Sequence, residues 1–136
     1  MVEQTLFIIK PDAVGRNLIG KIIVRIEEAR FRVRNLKMVR LTEAEARKFY
    51  YVHEGKPFLP ELVQFMSSGN VVPMVLEKES AVSDLRTLIG ATDPKEAAPG
   101  TIRADFALDK GKNAVHASDS SESAKFEIEF FFGNEK

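Results

Sequence analysis

The chain has 136 residues, 44% of them apolar, enough for one compact core and too few for two ordinary domains, so a single domain over residues 1–136 is expected. Twenty basic and twenty acidic residues cancel, so the overall charge asks for neither a nucleic acid nor an anionic membrane, and cations for an anionic ligand must be gathered locally. The absence of cysteine excludes a disulfide scaffold and a thiolate metal site and suits a reducing compartment. The first apolar run, Leu6-Phe7-Ile8-Ile9, is too short for a signal peptide or a membrane span, so a soluble cytoplasmic protein is expected.

Leu6 to Ile9 reads as a short strand buried on both faces, stopped by Pro11, with Lys10 at its end as a solvated terminus or an anion contact. Ile19, Ile22, Ile23 and Ile26 recur at helical spacing and predict an amphipathic helix. Phe31 to Leu41 follows as a strand whose apolar phase changes near Arg34-Asn35, the mark of a bulge or a new pairing partner. Thr42 and Glu45 form a capping box that opens a helix running to about His53. Phe49, Tyr50 and His53 share one side of it, with His53 at the helix end near the C-terminal dipole. Phe58 to Met66 predicts a second short helix with Phe58 at the tip of the lobe; for Tyr50 and Phe58, core or turn packing is the simplest reading.

Asn70 to Lys78 predicts a strand in spite of Pro73, whose missing donor must face away from the ladder or sit at a bulge. Ser80 is a candidate N-cap for a helix through Ile89, ended by Gly90. Arg86 falls among Val82, Leu85 and Ile89 on the apolar stripe of that helix, where it needs an anionic partner, a cleft, or a route along its stem to water. Residues 90–112 form a loop longer than connections usually are, which points to function. Thr92, Thr101 and Arg103 lie along it and, with Arg86, suit phosphate oxygens in charge and geometry, although Arg103 also reads as a plain surface residue.

Asn113-Ala114-Val115-His116-Ala117-Ser118-Asp119 then presents one of two histidines at an element end, just before a final helix capped by Ser120 or Ser121. On that helix Glu127 falls within the core stripe of Ala124, Ile128, Phe131 and Phe132, and a carboxylate there needs a hydrogen-bond partner; the arriving histidine is the nearest candidate. Phe126 and Phe130 lie on a third side that a monomer would expose, which predicts self-association. The element order reduces to βαββαβ, an α+β sandwich of the ferredoxin-like kind with helices on a four-stranded antiparallel sheet and a long loop before the last strand.

Ile9-Lys10-Pro11-Asp12, Gly90-Ala91-Thr92-Asp93-Pro94, Pro99-Gly100-Thr101-Ile102-Arg103 and the Asn113–Asp119 segment resemble, in order and spacing, the signature segments of the nucleoside diphosphate kinases, and the similarity runs from about Gln4 to Phe132. The resemblance implies an enzyme that moves the γ-phosphoryl group of a nucleoside triphosphate, usually ATP, to a nucleoside diphosphate by a ping-pong route through a phosphohistidine. It makes His116 the nucleophile through Nδ1, with Glu127 and Ser118 orienting the ring and Tyr50 beside it. It places Lys10 on the sugar hydroxyl and transferring phosphate, Arg86, Thr92 and Arg103 on phosphate oxygens, Asn113 on the ribose and Phe58 against the base. It also implies Mg²⁺ held mainly by substrate phosphates and water, and a homo-oligomer, tetramer or hexamer, with nucleotides rather than nucleic acid or membrane as partners.

Three departures accompany the resemblance. Ala117 stands where glycine is usual, Lys110 stands where an apolar residue often covers the base, and the sequence ends at Lys136 without the extension of longer members. Two other readings of the same topology make different demands. A regulatory module would leave His116 merely packed, and an RNA-recognition fold would want strand aromatics and a basic face. A Walker-type kinase is excluded, because no Gly-x-x-x-x-Gly-Lys-Ser/Thr loop is present.

Overall fold

Two apolar stretches, Leu6–Ile9 and Val71–Leu76, lie side by side at the centre of an antiparallel sheet, and the rest of the chain covers its two faces. The structure, a computed structural model, describes residues 2–133; Met1 and residues 134–136, with the chain end at Lys136 noted above, lie outside them. The elements run β1 (Val2–Ile9), α1 (Pro11–Gly15), α2 (Ile19–Glu28), β2 (Arg32–Leu36), β3 (Val39–Arg40), α3 (Glu43–Phe49), α4 (Leu59–Met66), β4 (Asn70–Glu79), α5 (Ala81–Ile89), α6 (Ile102–Phe106), β5 (Val115–Ala117) and α7 (Ser121–Phe132). The sheet order is β2-β4-β1-β5, with β3 pairing separately to β4 and every pairing antiparallel. This is the ferredoxin-like α+β arrangement, with a short fifth strand beyond the expected four.

Strand alternation sorts the core into two layers. Phe7 and Ile9 pack on one face with Ile22 and Ile26 of α2 and Leu85 and Ile89 of α5. Leu6 and Ile8 pack on the other with Phe49 of α3, Leu59 and Val63 of α4, and Phe131 and Phe132 of α7. Pro73 is tolerated in the central strand β4 because its carbonyl accepts from the Lys37 N–H. Its nitrogen faces the same way, toward the gap where β2 has ended and β3 has not begun, so no ladder bond is lost.

Several boundaries differ from the sequence expectation. β1 begins at Val2 because Glu3 and Gln4 pair with Lys78 and Glu77 at the polar end of the sheet. Phe31 to Leu41 is two strands rather than one, and the expected irregularity lies between Val33 and Asn35. The capping box at Thr42 and Glu45 is present, but α3 stops at Phe49, and Tyr51–His53 is a separate 3-10 turn. Ser80 is left-handed and does not cap α5; the Glu3 carboxylate from β1 accepts the Val82 N–H in its place, at 2.8 Å. The long loop contains α6, whose N-cap is Thr101, so that hydroxyl serves the backbone and is not offered to a ligand. Phe126 and Phe130 are partly buried, the first 4.9 Å from Tyr51 and the second 5.2 Å from Phe49, so they do not form the exposed face that the helical spacing predicts.

Candidate active site

The register of β1 against β5 builds the site. Ile8 pairs with His116, so the imidazole leaves the sheet on the face of Ile8, while Val115 and Ala117 point into the opposite core. Lys10 follows Ile8 by two residues in extended backbone and emerges on the same side. Its N–H donates to the Ala114 carbonyl at 2.9 Å, which fixes the strand end against the segment that carries His116. From across that face come Tyr50 at the end of α3 and Glu127 of α7, while Arg86 of α5, which packs on the opposite face, reaches in beside β5. Together with Thr92, Arg103 and Asn113 they line one cleft of about 560 Å³. A second cleft of about 740 Å³ adjoins it through Lys10, Leu62, Thr92 and Asn113, and is walled by Phe58 and Phe65 on one side and Asp109 to Lys112 on the other. A larger cavity under α1 and α4 contains neither histidine.

At the base of the first cleft His116 Nε2 lies 2.9 Å from Glu127 Oε1, and the Ser118 hydroxyl donates to the same oxygen at 2.7 Å. Ser118 Oγ in turn accepts the Leu6 N–H at 3.4 Å, so a strand backbone, a serine and a helix carboxylate hold the ring in series. A carboxylate at Nε2 selects the tautomer with the proton there and leaves the Nδ1 lone pair free. Phe49 and Tyr50 meet the ring edge-on at 5.5 and 6.1 Å. The Tyr50 hydroxyl is buried without a hydrogen-bond partner, and burial, reinforced by Glu127, raises its pKa far above that of a free tyrosine.

The cations are held differently from one another. Lys10 is buried, its ammonium donates to Asn113 Oδ1 at 2.8 Å, and its pKa falls to about 8; burial is the main cause, Arg103 adds to it, and Asp12 opposes it. Arg103 is also buried. It donates to the carbonyls of Gly90 at 3.1 Å and Val115 at 2.9 Å, its Nε has no partner, and burial with the nearby Arg86 lowers its pKa to about 10. Gly90 can be only glycine here: its φ is +86° and an added Cβ would stand 2.6 Å from Thr101 Oγ1.

The sequence expectations meet this geometry unevenly. Lys10 is not a solvated terminus and Arg103 is not a surface residue; both are buried beside the histidine. Arg86 is exposed and lies off the buried stripe, reaching the cleft with a 3.5 Å contact to the Ala117 carbonyl. Asn113 holds Lys10 with its amide oxygen while its nitrogen donates to the Lys110 carbonyl at 2.9 Å. Ala117 has ordinary strand backbone, so the extra Cβ is silent. Sequence reasoning missed two cleft residues. His53, which the sequence puts at a helix end, stacks on Tyr50 at 6.1 Å and meets Phe58 at 5.1 Å; burial, then Lys56, lowers its pKa. Its spacing three residues after Tyr50 was the available signal. Asp119 is the other; a hydrogen bond from Ser123 holds its carboxyl below the usual range.

Buried and exposed cations around an oriented imidazole, next to an aromatic-walled slot on an antiparallel α+β sheet, define a phosphotransferase that works on nucleotides. Comparison with known proteins makes the class specific. Residues 3–136 match the family described as nucleoside diphosphate kinase. A nucleoside diphosphate kinase of Chloroherpeton thalassium is 58% identical over 135 residues, covering 99% of this chain and 96% of its own. One from Pasteurella multocida is 60% identical over 131 residues, covering 96% and 94%. Among solved structures, the Aquifex aeolicus nucleoside diphosphate kinase superposes with a TM-score of 0.95 at 54% identity, over 97% of this chain and 96% of that one. The Halobacterium salinarum enzyme, solved in complex with CDP, gives 0.93 at 42% identity, over 97% and 88%. The chain therefore belongs to the nucleoside diphosphate kinase family, enzymes that transfer a phosphoryl group between nucleotides.

Proposed function

We propose that residues 1–136 act as one domain in which His116 carries the phosphoryl group between two nucleotides. The observation that carries this reading is the 2.9 Å contact of His116 Nε2 with Glu127, which leaves Nδ1 as the nucleophile. In the first half-reaction the Nδ1 lone pair attacks the γ-phosphorus of ATP, the bond from phosphorus to the β,γ-bridging oxygen breaks, and its electrons leave on ADP. In the second, a terminal phosphate oxygen of another nucleoside diphosphate attacks the same phosphorus and the N–P bond breaks. Glu127 and Ser118 hold the ring in place and stabilise the positive charge it gains. Neither half-reaction needs a separate base.

Lys10, Arg86, Thr92 and Arg103 compensate the charge on the transferring group, which is where most of the catalysis of phosphoryl transfer lies. Tyr50 packs beside the ring and helps to fix its plane. Phe58, half-exposed at the mouth of the second cleft, stacks on the base without reading its edge, which suits an enzyme that accepts several bases. Asn113 reaches the ribose with the N–H left over from its bond to Lys110. The donor set fits Mg²⁺ that arrives on the nucleotide: the cleft is rich in cations, Glu127 is engaged by His116 and Ser118, and no group of three His, Cys, Asp or Glu side chains among the described residues could hold a metal by itself. Mg²⁺ bound to the phosphates supplies further charge neutralisation.

Self-association into a tetramer or hexamer is supported by β2, an edge strand that ends in exposed Leu36 and is followed by exposed Met38. A cytoplasmic setting is supported by the cysteine-free sequence. Intact-mass measurement after incubation with ATP and Mg²⁺ tests the central claim. One acid-labile phosphate is expected on the wild type and none on His116→Ala; a wild type that stays unlabelled, or a labelled variant, would overturn it.

A further inference from the structure

One acidic residue close to the site has no part in the reaction as described above. The Asp12 side chain is only 4% exposed, although it sits on the first turn of the five-residue helix α1. Its Oδ2 accepts the Ala114 N–H at 3.1 Å and faces Arg16 Nη2 at 3.5 Å, and its Oδ1 is buried without a partner. Ala114 is no ordinary strand residue. Its φ is +75°, in the region that favours glycine, and the Val115 N–H bonds back to the Asn113 carbonyl at 2.9 Å, closing a three-residue γ-turn. That turn is centred two residues before His116 and begins at the asparagine that holds Lys10. A left-handed alanine persists only where its surroundings over-determine it. Here the determinants are the Lys10 N–H on its carbonyl and the Asp12 carboxylate on its amide.

We propose that Asp12 is a positioning residue for phosphoryl transfer: its carboxylate clamps the turn ahead of His116 against the Lys10 strand end and is the counter-charge for the Lys10 ammonium. The inference rests on the functional reading above. Of the groups that bear on the ammonium, Asp12 of α1 favours its charge and Arg103 of α6 opposes it. Tyr50, His53, Arg86 of α5, His116 of β5, Asp119, and Glu122 and Glu127 of α7 share its cleft, and Glu61 of α4, Asp109, Lys110 and Lys112 line the adjoining one. One carboxylate thus bears both on the place of the nucleophile and on the charge that meets its substrate.

Asp12→Asn and Asp12→Ala separate the two roles. Asparagine keeps an acceptor for the Ala114 amide and loses the charge, whereas alanine loses both. Phosphoenzyme formation from ATP and Mg²⁺ is followed against pH, with the unfolding midpoint of each variant measured alongside. Asp12→Asn is expected to fold, to slow labelling about tenfold near neutral pH, and to bring the alkaline fall in rate to lower pH by about one pH unit. Asp12→Ala is expected to be slower still. If the alkaline limb of Asp12→Asn coincides with that of the wild type, or if the asparagine variant does not fold, Asp12 only supports the fold and the proposal is overturned. A wild type that takes up no phosphate at all refutes the functional reading instead.

Discussion

Replacing Lys10 by methionine should make the protein more stable while it destroys the activity. The drop in the Lys10 pKa from 10.5 to about 8 corresponds, at about 1.4 kcal/mol per pH unit, to roughly 3 kcal/mol by which the folded state disfavours the ammonium. Methionine has nearly the same length and no charge. It removes that penalty but leaves Asn113 Oδ1 without its donor, a loss of about 1 kcal/mol, for a net gain of about 2 kcal/mol. Below pH 8 folded and unfolded wild type are both protonated, and the penalty is present in full. Between about pH 8 and 10.5 the folded protein has shed the proton that the unfolded chain keeps, so wild-type stability rises with pH across that window. The methionine variant has no such rise. Denaturant titrations at pH 7 and pH 9.5 should therefore show a gap of about 2 kcal/mol that narrows at the higher pH, while phosphoenzyme formation falls by about 100-fold or more. A variant less stable than wild type at pH 7, or a wild type whose stability is flat from pH 8 to 10, would show that the ammonium is not under strain.

Other substitutions probe the remaining contacts. Glu127→Gln keeps a hydrogen-bonding group near His116 Nε2 but removes the charge that stabilises a phosphorylated ring, so labelling should slow by at least about tenfold with little change in nucleotide KM; a KM effect alone would make Glu127 structural. Tyr50→Phe deletes a buried hydroxyl that has no partner, so thermal melting should be unchanged or raised, and a clear fall would reveal a hydrogen bond to that group. Gly90→Ala forces a Cβ onto Thr101 at φ +86° and displaces the carbonyl that holds Arg103, and should cost about 2 kcal/mol or more in chemical unfolding.

What could be seen in the sequence depended on how local its cause was. The capping box at Thr42 and Glu45, the isoleucine spacing of α2 and the phase change in β2 are effects of neighbours within a few positions, and all three are present. The Glu127 anomaly was visible because a carboxylate breaks a helical apolar stripe, and its partner is only eleven positions away. Features set by distant residues were not legible. Glu3 caps α5 from 79 positions away, displacing the local candidate Ser80. The helical angle alone puts Arg86 on the apolar stripe, yet that side of α5 is exposed. The burial of Arg103 follows from the carbonyls of Gly90 and Val115, whose approach depends on the whole fold.

Several unfavourable features of the molecule gather at one place. The two layers of the core are built of buried apolar side chains, whereas the cleft between α5, α7 and the β1–β5 edge holds a buried ammonium, a buried guanidinium with an unpartnered Nε, and an unpartnered phenol. Lys10 and Arg103 repel one another, as Arg103 and Arg86 do. A polyphosphate entering the cleft relieves that repulsion and raises the pKa of Lys10, so binding draws protons from solution wherever free Lys10 is deprotonated. At pH 8.5, just above the free-protein value of about 8, calorimetric titration of ADP in buffers of different ionisation enthalpy should register uptake of a substantial fraction of a proton. Lys10→Met should bind ADP more weakly and take up none. Uptake that persists in the methionine variant would assign the proton to another group, and a wild type that binds ADP without uptake would mean that the phosphates do not meet Lys10.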